Sequence, residues 1–167
     1  MSLFRISIGN LGWNTASTDT GEVRSLAILR PKDLAKGRRV WGALGGGAML
    51  TSEGKEWLEN AFKAQQFELD YDTGFYDMRF VVDEKYVEQI FHMFVKPVIY
   101  EQDPTLDIKH ELAEDVWEGC TAPLSETEIG DLTITYDKTV RQRLVDPKHD
   151  TSRRATELPT HRLFRTF

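Results

Sequence analysis

Cysteine is almost absent from this chain: Cys120 is the only one in 167 residues. A single thiol excludes an internal disulfide and any cysteine-rich zinc site, so a reducing cytoplasm is the expected compartment. Long apolar runs are missing too. No segment approaches the ~18 consecutive apolar residues of a membrane span, and no apolar leader core follows Met1. Nor is there an excess of basic residues. The net charge is −6, which gives no sign of a nucleic-acid-binding surface. An acidic chain can still bind nucleotides where divalent cations reverse the local sign. The balance that remains, 40% hydrophobic and 29% charged, is that of a globular protein long enough to bury a core as one domain.

Hydrophobic alternation predicts a strand over Leu3–Trp13, a Thr/Ser/Asp/Gly turn over Asn14–Gly21 and a second strand over Val23–Leu29. Val40–Leu50 is apolar and glycine-rich, a strand that a neighbour or ligand approaches closely. Thr51 or Ser52 caps a helix over about Glu53–Gln66. Phe67–Tyr71 and Met78–Val82 flank Asp72-Thr73-Gly74 as a hairpin, and Asp83 caps a helix to about Val95. Asp103-Pro104 opens a third helix, to about Trp117. Thr127–Thr135 and His161–Phe167 read as strands, with a polar loop, Asp146–Thr156, between them. Mixed strand and helix order gives an α+β or mixed α/β class. The last strand shows no neighbour after it. Either the chain continues beyond Phe167 or a partner completes the sheet, which points to a homodimer.

Chemistry concentrates in the third helix. Residues at i, i+3 and i+4 share a helical face, so Glu111, Glu114 and Asp115 project together, with Asp107 and Glu118 at the margins. Ile108, Leu112, Ala113 and Val116 supply the opposite, packing side. Crowded carboxylates repel one another, and a hard cation such as Mg²⁺ relieves that by taking oxygen ligands. A solvated acidic face accounts for the same pattern without any metal. The glycine run Gly45-Gly46-Gly47, followed by Glu53 at a helix start, shifts the balance towards phosphate chemistry.

Together these segments resemble the Nudix box of the Nudix hydrolase superfamily, G-x5-E-x7-R-E-U-x-E-E with U apolar. Gly47 and Glu53 match its first half, and Glu111, Leu112, Glu114 and Asp115 match its second. Trp41 ahead of the glycines and Leu29-Arg30 at a strand end are also similar to that family. The chain departs from the pattern in three ways. The short spacer becomes Gly54–Lys109, an insertion of about fifty residues that must carry its own structure. His110 replaces the arginine, losing its guanidinium fork, and Leu44 stands for the usual proline. The resemblance implies one Nudix-like domain over residues 1–167, split by an inserted helix-hairpin-helix over about 54–103.

The same resemblance implies metal-dependent hydrolysis of a nucleoside diphosphate linked to another moiety. Glu111, Glu114 and Asp115 would hold Mg²⁺ or Mn²⁺, with Glu53, Glu111 and Glu114 as the catalytic carboxylates. Gly45, Gly46 and Gly47 would lie against the diphosphate, and Arg30 and Arg79 would bind substrate. The partner is then a nucleotide-type small molecule. Two alternatives stay open: a Nudix-like nucleotide-binding sensor that does not cut, similar to domains of bacterial nucleotide-signalling defence systems, and a structural domain with solvated carboxylates. His92 is expected to be a partly buried packing residue, and His149, His161 and Cys120 have no partner at ligand or catalytic spacing.

Overall fold

A computed structural model describes residues 2–12, 14–17, 19–29, 35–39, 41–119, 125–144 and 158–167. Its centre is β1 (Leu3–Gly12), a strand buried on both faces. Along one edge β1 pairs in parallel with β11 (Thr160–Thr166), from Arg5 opposite Thr160 to Leu11 opposite Thr166. Beyond it lies β10 (Lys138–Leu144), antiparallel to β11. The other edge of β1 is shared by two strands placed end to end. Gly9–Gly12 pair with β6 (Leu44–Gly47), and Leu3–Ser7 pair with β9 (Arg79–Asp83), both antiparallel.

The two partners meet at Ile8. Its N–H donates to the Met78 carbonyl at 3.0 Å, its carbonyl accepts from Ala48 at 3.0 Å, and Met78 N–H donates to Ala48 at 2.9 Å. All three residues are fully buried. Three backbone segments thus satisfy one another where no water reaches, as buried peptide groups require.

Three long helices complete the α+β fold that the mixed element order implies: α1 (Ser52–Phe62), α2 (Glu84–Phe94) and α3 (Pro104–Gly119). Leu58 and Phe62 of α1 and Val87, Ile90, Phe91 and Phe94 of α2 join Ile6, Ile8, Phe80, Val82 and Leu163 in one core. Thr51 caps α1 by accepting from Gly54 N–H at 3.1 Å, and Asp83 caps α2 by accepting from Lys85 N–H at 3.2 Å. Short two-stranded pairs lie outside the main sheet: β2 (Asn14–Ser17) with β3 (Val23–Leu26), β4 (Ile28–Leu29) with β5 (Trp41–Gly42), and β7 (Met49–Leu50) with β8 (Tyr76–Asp77). Among the described residues no helix is long and apolar enough to cross a membrane.

The segment between the two halves of the signature leaves and returns at adjacent backbone. Leu50 bridges Glu101, Thr51 N–H donates to the Tyr100 carbonyl at 3.0 Å, and Gln102 N–H donates to Met49 at 3.1 Å. In between, β9 joins the main sheet and α2 packs on its core, so this stretch is part of the fold's centre.

Several sequence expectations need correction. Val40–Leu50 is not one strand; its described part is broken into β5, β6 and β7. α1 stops at Phe62 because Lys63 turns left-handed (φ 54°) and closes the helix end. Phe67–Tyr71 forms only an isolated bridge, Leu69 to Tyr76, around the turn 70–74. Within Thr127–Thr135 the chain forms α4 (Glu126–Gly130), because Ser125 and Glu128 make a reciprocal capping box, and the strand comes later, at β10. His92 is exposed, whereas His161 is buried between the rings of Phe4 and Phe91. The C-terminal strand does not lack a neighbour: β11 lies between β1 and β10, so the basis for expecting a homodimer disappears.

Ile8 makes the contribution of the three-way junction measurable. Ile8→Ala is expected to destabilise the protein by about 2–5 kcal/mol, read as a lower urea midpoint. Leu106→Ala, at a side chain 53% exposed, should stay within about 0.5 kcal/mol.

Candidate functional site

The third helix owes its position to its first two turns. Asp103 begins it, its carboxylate accepting from Thr105 N–H at 2.9 Å. One turn on, Asp107 enters the protein instead of solvent. Its Oδ2 accepts from Asn10 Nδ2 at 3.0 Å and from Met49 N–H at 3.3 Å, and its Oδ1 accepts from Gln102 Nε2 at 2.7 Å. Asn10 in turn accepts from Arg165 Nε at 3.1 Å. Arg165 is completely buried and ion-paired with Glu101, whose other carboxylate oxygen accepts from Val98 N–H at 3.1 Å. One buried hub therefore ties β1, β7, β11, the returning segment at Glu101 and α3.

Burial pushes the Asp107 carboxyl up from its ordinary 3.8 to about 7; the Glu101 charge adds to the rise, while the Met49 N–H, Arg165 and Gln102 oppose it. His161, also on β11, is held below its usual value by burial, reinforced by Arg141 and Arg143. It is a neutral packing residue, flanked by aromatic rings.

Glu111 follows Asp107 by four residues, and it too meets the sheet. A Cβ built on Gly46 would overlap the Glu111 carboxylate. The glycine run of β6 and the carboxylate helix are therefore in contact: Gly46 leaves the space that Glu111 of α3 fills. Gly45 is glycine for a different reason. Its φ is 154°, and a Cβ would overlap the Asn10 carbonyl and come within 2.9 Å of the Leu11 Cα.

Gly47 points the other way. Successive residues of a strand face opposite sides, and a Cβ there would meet Asp77 Oδ1 at 3.3 Å and Arg79 Nη2 at 3.4 Å. Arg79 pairs with Asp77, Nη1 to Oδ2, at 2.9 Å. The sheet thus separates Arg79 and Gly47 from Glu111 and Gly46, although the resemblance puts all four in one site.

The remaining site residues are distributed as follows. Glu53 is exposed in the first turn of α1, where its charge suits the helix dipole. His110 is exposed on α3. Glu114 and Asp115 lie in α3, but their side chains fall outside the described residues, as do Arg30, Cys120 and His149. Among the described residues no three His, Cys, Asp or Glu side chains group to hold a metal ion. The hub of Asn10, Glu101, Gln102 and Arg165 is not foreseen from sequence. One signal was legible for Arg165: it has the inward parity of Leu163 in an alternating strand.

Compared with protein-family models, curated proteins and solved structures, the chain matches none.

Two outcomes follow from this geometry. Gly46→Ala should fold with little loss of stability, because the overlapping atoms belong to the mobile end of Glu111, yet it should displace that carboxylate. Gly45→Ala collides with backbone and should cost several kcal/mol, more than strain of about 1–3 kcal/mol alone; parallel urea titrations distinguish the two. For Asp107 the folded carboxyl binds its proton more tightly than the unfolded one. Its contribution to stability is full below about pH 4 and is lost as pH rises through about 7. Asp107→Asn should therefore remove a downward slope of stability between those limits, seen as the difference between wild-type and variant midpoints at successive pH values.

Proposed function

We propose that this chain is a Nudix-like domain acting on a nucleotide-type phosphate, with Mg²⁺ or Mn²⁺ recruited by the carboxylates of α3. One observation supports it above the others: the Glu111 carboxylate occupies the space over Gly46, so a glutamate of the carboxylate helix lies against the glycine run. The donor chemistry fits a hard cation, since Glu111, Glu114 and Asp115 offer only oxygen ligands. A bound divalent cation would supply positive charge to phosphate oxygens and a more acidic water. Gly46 contributes backbone without a side chain, and that space is where the Glu111 carboxylate sits. Asp107 anchors the first turns of α3 and so positions Glu111, four residues further on.

A second reading, nucleotide binding without turnover, is favoured by two observations. His110 is exposed where an orienting arginine would stand, and Asp107, a second carboxylate that the helix turns to the sheet, is committed to the buried hub. Placement good enough for binding falls short of what catalysis needs.

Incubation with Mn²⁺ or Mg²⁺ and either ADP-ribose, a dinucleoside polyphosphate or a nucleoside triphosphate, followed by chromatography, decides between them. Cleavage of one of these, reduced about a hundredfold or more by Glu111→Gln, supports hydrolysis. Metal-dependent binding of an intact nucleotide, lost in Glu111→Gln, supports the sensor. Absence of both binding and cleavage with either metal rejects both readings.

A further inference from the structure

The connection from β4 to β5 carries the reverse of the chain's overall charge. Between Arg30 and Trp41 the sequence holds five basic residues and one acid, Asp33, in a chain of net charge −6. A net charge describes the whole surface, whereas a local basic stripe sets its own potential. Of this stretch the structure describes residues 35–39 and Trp41, and all of them are exposed. Residues 35–37 form a turn in which Gly37 takes a left-handed φ of 73°.

Trp41 closes the connection. Its backbone pairs with Leu29, and Gly42 pairs with Ile28. Three residues on, Leu44 pairs with Gly12 of the central strand, so the tryptophan stands on backbone tied to the main sheet. Its side chain is nevertheless 64% exposed, although tryptophan is highly buried on average. Among the described residues, nothing pairs with the Lys36 ammonium or the Arg39 guanidinium, and no ring meets that of Trp41; Arg38 has an interaction of its own.

Exposed cations beside an uncovered aromatic face are the parts of a single-strand platform: cations hold phosphates, and the ring takes any base. Arg39 and Trp41 are two residues apart, at most about 7 Å between Cα atoms, so one nucleotide can meet both. A duplex keeps its base faces stacked on one another, and a tryptophan finds a free face only on an unpaired base. Tryptophan with basic residues also suits a membrane surface. Insertion there needs an apolar face, and the described residues before Trp41 are Ala35, Gly37 and three cations.

We propose that the β4–β5 connection binds single-stranded nucleic acid, with an unpaired base stacked on Trp41 and phosphates held by Lys36 and Arg39. The surface uses no residue of α3 and goes beyond the function proposed above.

Fluorescence anisotropy at low salt in EDTA, with short labelled oligo(dT) and oligo(U), tests it. Both strands are expected to bind, since stacking and phosphate contacts do not depend on the sugar; a preference for one also supports the surface and adds a contact to the sugar. Trp41→Ala should weaken binding about tenfold or more, and Trp41→Phe should restore part of it. Replacing Lys36→Gln and Arg39→Gln together removes two phosphate contacts, which should shallow the slope of log K against log salt by about 1.4. Glu111→Gln should leave binding unchanged, and thermal melts of each variant verify the fold. No single-strand binding by wild type, equal affinity for a duplex of the same length, or wild-type affinity in Trp41→Ala would each overturn the proposal. Binding to phosphatidylserine vesicles that oligonucleotides fail to displace would overturn it in favour of a membrane surface.

Discussion

Arg165 is a fully buried guanidinium, and much of the structure is arranged around the need to satisfy it. An unpaired charge in that position would cost several kcal/mol. Glu101 supplies the opposite charge, and Asn10 accepts from Nε and passes the hydrogen-bond chain on to Asp107. Each partner belongs to a different part of the chain: Asn10 to the first strand, Glu101 to the return of the long intervening segment, Asp107 to the carboxylate helix. An apolar core at this point would hold the same elements together without fixing their register. Hydrogen-bonded polar groups are directional, so they define one arrangement of strand, return and helix. The seat of α3, and with it the position of Glu111, depends on that arrangement.

The same constraint explains why fifty-odd residues fit between the glycine strand β6 and the carboxylate helix α3. Hydrogen bonds at Met49, Leu50 and Thr51 meet those at Tyr100, Glu101 and Gln102, so the ends of the segment are fixed side by side. Loop closure becomes cheap once the segment carries its own packed structure. The segment also repays the sheet. Without β9, the Leu3–Ser7 half of β1 would lose its neighbour on that edge, and Ile8 would lose its link to Met78. The approach of Glu111 to Gly46 and the intact sheet are therefore two consequences of one chain path.

Elements with local chemical markers were legible in the sequence. Asp83 and Asp103 announce helix starts through their capping oxygens, and Leu3–Gly12 shows its apolar run plainly. The α+β class followed from their order. Long-range facts were less visible. Thr127–Thr135 alternates like a strand, but Ser125 and Glu128 satisfy each other's backbone and win a helical turn. Of the candidate site, the glycine run and Glu111 were singled out from sequence but their contact was not, and the hub was not foreseen, because the parity Arg165 shares with Leu163 names no partner and nothing local marks Asn10 as buried. Their burial is a property of partners up to 155 positions apart.

Adjacent glycines show why a motif read as a string can mislead about a site. Gly46 and Gly47 are neighbours in sequence and belong to opposite sides of a pleated strand. Gly46 makes room for Glu111, and Gly47 lies under Asp77 and Arg79. A ligand at one glycine cannot touch the side chains that line the other without crossing the backbone of β6. Glu111 and Arg79 are consequently not partners in one ion pair. The sheet lies between them, and Arg79 finds its carboxylate in Asp77, on its own side of the strand.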